Sequence, residues 1–96
     1  MGAAEFAVRV RGKTANEAFI SVVENAQWQY GHGGYTGTIA EKSSFVLLHP
    51  PGGENPRTFA ERLLREDDPR VSDKWGPAGC VKTGPEEWLF FGLASS

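Results

Sequence analysis

The densest collection of chemically useful side chains lies in thirteen residues, Tyr30-Gly31-His32-Gly33-Gly34-Tyr35-Thr36-Gly37-Thr38-Ile39-Ala40-Glu41-Lys42. Glycines at 33, 34 and 37 let backbone N–H groups come close to a phosphate or carboxylate. Tyr30 and Tyr35 offer stacking faces with polar tips for a base or ring. Thr36, Thr38, His32 and Lys42 add polar contacts, and Trp75, from a second loop, suits either a lid over the site or a plug closing the end of the core. The chemistry suggested is the holding of a nucleotide-like or other anionic small molecule. One electrostatic fact counts against a P-loop: the stretch leaves the C-terminal end of a helix, where the dipole is negative. An anion there depends on Lys42 or on a nest of N–H groups. The same residues also suit a plainer role, a glycine helix cap and a tight crossover whose tyrosines pack at the core edge.

Other reactive residues are isolated. His32, His49 and Cys80 lack the paired spacing of a zinc site, so no metal or cofactor is expected. Cys80 falls in a strand-like segment, where a buried, inert thiol is expected. Glu41, Glu54 and Glu86-Glu87 are candidate acids, but nothing in their spacing brings two together. Arg9 and Arg11 share one strand face and form a short basic strip. Even so, the net charge is −2, and the exposed aromatic segment of RNA-binding sheets is missing. Nucleic acid is therefore not an expected partner.

The elements that must position these residues follow from periodicity. Phe6, Val8 and Val10 alternate with Ala7, Arg9 and Arg11, which predicts a half-buried strand over 6–11. Thr14-Ala15-Asn16-Glu17 reads as a capping box. Ala15, Ala18, Phe19, Val22, Val23, Ala26 and Tyr30 then recur at helical spacing, with Gly31 as the C-cap. Trp28 falls opposite that stripe, among Glu17, Ser21 and Glu24, where an aromatic marks a contact surface or a site covered by another part of the chain. Thr36–Ala40 and Ser44–Leu48 read as two strands joined by a turn, the second apolar throughout and so placed centrally. Asn55-Pro56 opens a second helix whose buried edge is Phe59, Ala60, Leu63 and Leu64. Residues 78–83 and 88–93 read as a final hairpin with its turn at 84–87.

The expected order is β-α-β-β-α-β-β in a single α+β domain over 1–96. A ferredoxin-like antiparallel sheet with two helices on one face is the economical arrangement. With one cysteine there is no internal disulfide, which fits a reducing compartment. The N-terminus lacks the basic and apolar regions of a signal peptide, and no apolar run is long enough for a membrane span. A soluble cytoplasmic protein is expected.

The runs at 12–19, 30–42 and 75–80 (Trp75-Gly76-Pro77-Ala78-Gly79-Cys80) resemble small proteins encoded by phages and their actinobacterial hosts. That resemblance brings no activity with it. It implies an accessory protein that binds a host protein or a small signalling molecule, and an oligomeric form is expected. Three functions follow, in order: sequestration of an anionic or nucleotide-like ligand through 30–42; a protein-interaction module contacting a host protein through Trp28 and the final hairpin, with Trp88 and Phe90; and a small hydrolase using His32 or Glu41.

Overall fold

The computed structural model describes residues 3–31 and 37–95. Strand β1 runs Ala3–Arg11 and is followed by helix α1, Ala15–Tyr30. The Glu17 N–H donates to Thr14 Oγ1 at 3.1 Å, which satisfies one free amide of the first turn. Gly31, at φ 92°, closes the other end by donating its N–H to Gln27 O at 2.8 Å. After a 3-10 turn at Ile39–Glu41 come strand β2, Phe45–Leu47, and helix α2, Pro56–Arg65. Asn55 Oδ1 caps α2 by accepting from the N–H groups of Arg57 and Thr58. Strands β3, Ala78–Gly84, and β4, Glu87–Ser95, form the closing hairpin.

The fold is α+β, with four strands in the order β1-β4-β3-β2. Ferredoxin-like order and an all-antiparallel sheet are not what forms. β1/β4 and β3/β4 are antiparallel, but β2 pairs parallel to β3. The reason begins at Thr38. Its hydroxyl accepts from the Ala40 N–H at 3.2 Å, capping the 3-10 turn where a strand over 36–40 was expected. Residues 37–40 therefore form no strand, and Thr36 lies outside the described residues. With no preceding strand to pair with, β2 joins β3 through a crossover containing α2, as parallel neighbours require.

That crossover places the helices on opposite sides of the sheet, not on one face. On the α1 side, Phe6, Ala78, Cys80, Trp88, Phe90 and Ala94 pack with Ala18, Phe19, Val22, Ala26 and Ile39. Rings of Phe19, Phe45 and Phe90 meet at centroid distances of 5.0, 5.6 and 5.6 Å, within the range of favourable aromatic pairs. On the α2 side, Val81, Leu89 and Phe91 pack with Phe59, Ala60, Leu63 and Val71. Neighbours along a strand thus serve opposite cores, as the two-residue period demands. Phe45 and Val46 follow the same rule and are half-buried on opposite faces, but Leu47 is exposed, so β2 is a partly covered edge strand and not the fully covered central strand expected. The central strands are β3 and β4. Phe91 fits because position 79 is glycine: a Cβ there would sit 2.7 Å from both the Phe91 ring and Val71.

Candidate functional site

Five of the residues expected to grip a ligand, His32, Gly33, Gly34, Tyr35 and Thr36, lie outside the described residues. The others divide. Tyr30 at the end of α1 and Thr38 at the 3-10 turn both line a cavity of about 380 Å³ between α1 and β1. Its apolar floor includes Phe6, Val22 and Ile39, and its polar rim includes Glu5, Asn25 and Gln29. That volume falls in the range of small-ligand sites. Glu5 is the one charged residue among the described lining, so the cavity offers no cation to a phosphate.

Lys42 is not part of that cavity lining. It is 3% exposed, and its Nζ donates to the carbonyl oxygens of Asp73, Lys74 and Gly76 at 3.2, 3.3 and 2.9 Å. Three carbonyl acceptors use the three N–H bonds of an ammonium group. Burial pulls the Lys42 pKa below the ordinary lysine range, while the Asp73 and Glu41 carboxylates pull it back up. The side chain ties the 3-10 turn to the loop before β3. Trp75 rides on that tied loop and is 64% exposed. Its backbone N–H donates to Asp73 Oδ1 at 2.9 Å, and Lys74 Nζ lies 5.4 Å from its ring centre. Trp75 is not among the residues lining the α1/β1 cavity.

The expected contact residues also separate. Trp28 is 88% exposed on the outer face of α1. Phe90 is fully buried and Trp88 nearly so, with Trp88 Nε1 donating to Gly12 O at 2.9 Å. The final hairpin is therefore interior and cannot offer these two side chains to a partner. The signal was present in the sequence: the apolar run Trp88-Leu89-Phe90-Phe91 leaves no polar face, as in a strand covered on both sides.

Candidate catalytic groups are occupied or apart. Cys80 is buried, which pushes its thiol up to about 12. Glu54 accepts from Arg62 Nε and Nη2, Glu87 from the Thr83 hydroxyl, and Glu41 from the Ser95 hydroxyl at 3.4 Å. No cluster of three metal-ligating side chains occurs among the described residues. Arg9 borders a smaller hollow of about 200 Å³ beside the start of α2, where Asn55 already accepts from two of the helix N–H groups. No described helix is long and apolar enough to cross a membrane.

Ile20, Asn25 and Gln29 were not singled out from sequence. Ile20 is exposed and borders a groove between α1 and residues 40–43. Asn25 and Gln29 are one helical turn apart on the flank facing β1. Their residue types are ordinary for a surface helix, so only their placement marks them. Compared with protein families, curated proteins and solved structures, the chain has no significant match.

Proposed function

We propose that the chain is a protein-binding module whose contact face is the outer side of α1, with Trp28 as its anchor. The observation that carries this reading is an indole 88% exposed on a capped helix that is docked on the sheet. A tryptophan left in water by its own fold supplies a large apolar area to a partner at little entropic cost. Glu24 lies one turn away on the same face, and Glu17 and Ser21 continue it. The complementary partner has an apolar pocket bordered by Lys or Arg. The resemblance to phage and actinobacterial proteins suits a partner supplied by the host. Capture from host extract tests the reading. A partner retained by the native chain should be lost with Trp28→Ala and kept with Trp75→Ala; unchanged capture by the Trp28 variant would refute it.

A second reading rests on the α1/β1 cavity. It is an accessory protein that holds a small molecule, with Tyr30 and Thr38 contributing and Asn25 and Gln29 as polar contacts. No cationic side chain is among the described lining, so a neutral ligand fits better than a phosphate. Native against denaturing mass spectrometry of freshly purified protein checks this directly. Added mass lost on denaturation, and abolished by Val22→Trp, supports it, whereas a clean apo mass after incubation with host metabolite extract counts against it.

A further inference from the structure

β1 is an outer strand of the sheet, and its free edge is unusually regular. Its pairing with β4 runs from Ala3↔Ser95 to Arg11↔Glu87 without a register shift. One step further on, the Gly12 N–H donates to Glu86 O at 3.0 Å. Along an antiparallel strand these groups alternate in direction. Even-numbered residues therefore turn their N–H and C=O groups toward β4. The odd-numbered residues Ala3, Glu5, Ala7, Arg9 and Arg11 turn theirs outward, where no described strand meets them. The strand carries no proline, bulge or lysine, and its exposed charges, Glu5, Arg9 and Arg11, are of both signs and so do not repel an antiparallel copy uniformly.

The side chains on that edge are self-complementary. Two copies of β1 placed antiparallel about a two-fold axis at Ala7 pair residue 7 with 7, 6 with 8, 5 with 9, 4 with 10 and 3 with 11. Same-face residues then meet, as a regular ladder requires. Phe6 meets Val8 and Ala4 meets Val10 on the α1 side. On the other side Glu5 of each copy meets Arg9 of the other, and Ala7 meets Ala7 with no steric bulk at the axis. Glu5 and Arg9 are both exposed, and neither has an ion-pair partner among the described residues. This register uses all nine residues of the strand, and the five outward N–H groups of each copy face outward C=O groups of the other.

We propose that β1 is a self-recognition edge, joining two copies of this chain into one continuous eight-stranded sheet centred on Ala7. The interface is isologous, so each favourable pair occurs twice. Glu5 and Ala7 also line the α1/β1 cavity, so the second copy closes that side. The outer face of α1 plays no part in the pairing, which makes this inference independent of the Trp28 reading.

Amide exchange combined with sedimentation over a concentration series tests it. The Glu5, Ala7 and Arg9 amides should gain protection as concentration rises, while those of Phe6, Val8 and Val10 are protected throughout by β4. Glu5→Arg places like charges opposite each other twice and should weaken association roughly tenfold. Arg9→Glu should do the same, and the double variant Glu5→Arg/Arg9→Glu should restore the dimer. Ala7→Pro removes only an outward N–H and should leave a folded monomer. A monomer at every concentration, or a dimer indifferent to both single charge reversals, would overturn the proposal.

Discussion

The outer faces of the two helices are built on different terms. On α2, Arg57 pairs with Glu61 at 3.7 Å, and Arg62 bridges Glu54 at 2.8 Å and Glu66 at 3.6 Å. Arginines also sit in its last turn, where they complement the helix dipole. On α1, Glu17 and Glu24 face solvent, and among the described residues none of the ion pairs involves the helix. Its outer surface carries Trp28 instead, with Ile20 toward the groove beside residues 40–43. α2 is finished by its own charges. α1 is held by its caps and its buried stripe, and its outer face leaves an indole in water. Charge pairing within a helix suits a solvated face, whereas an exposed tryptophan is the residue type enriched where a partner binds, which is the basis of the proposal above.

The comparison breaks first if the two cores are not separate. Phe90→Ala removes a ring from the aromatic cluster under α1 and should cost about 3–5 kcal/mol in chemical unfolding. Leu63→Ala acts on the α2 side, where that side chain is buried against Val81, Leu89 and Phe91, and should cost about 2–5 kcal/mol. Because Leu63 and Phe90 belong to cores on opposite faces of the sheet, the two costs should add within about 0.5 kcal/mol. Strong coupling would mean that the two cores are not independent.

Surface substitutions sharpen it. Trp28→Ala should change stability by no more than about 0.5 kcal/mol, since the ring touches little of its own chain. Glu61→Ala should cost about 0.3–0.5 kcal/mol through loss of the Arg57 pair, and that cost should shrink in high salt. A large destabilisation by Trp28→Ala would place the ring in the fold and remove it from the contact face.

Two titrations probe the cores and their borders. The Arg70 guanidinium and backbone N–H bind Asp68 at 2.9 Å and hold its carboxyl down to about 2 from 3.8. A depressed carboxylate stabilises the fold fully above its unfolded value and loses that contribution as pH falls through the folded one. Asp68 should therefore support the loop at pH 5 and cease to do so near pH 2, read as a carboxyl resonance titrating at about 2. Cys80, with its thiol pushed up to about 12 by burial, should resist thiol reagents at pH 8 until denaturant opens the sheet. Immediate labelling of native protein would contradict its place beneath α1.

Much of this framework was legible in the residues. Thr14, Gly31, Asn55 and Pro56 marked the helix ends because caps are local chemistry, read within four residues. The stripe of α1 and the closing hairpin followed from periodicity. What failed was non-local. Thr38 looked like part of a strand, but its hydroxyl caps a 3-10 turn. Lys42 looked like a ligand cation, yet its acceptors are carbonyls at 73–76, the nearest 31 residues along the chain. The opposite placement of the helices depended on β2 choosing a parallel partner, a choice no local pattern encodes. Trp28 was legible because a helix angle alone puts it outside, and only the structure shows that nothing described folds over it.

The most direct test of the α1 face uses photo-crosslinking groups placed on the two helices, one at Ser21 beside Trp28 and one at Glu61 on α2, in otherwise native protein exposed to host extract. Adducts formed from position 21, absent from position 61 and lost when Trp28→Ala is added, are the predicted result. Adducts from position 61 with none from position 21 would contradict the assignment of α1 as the contact face.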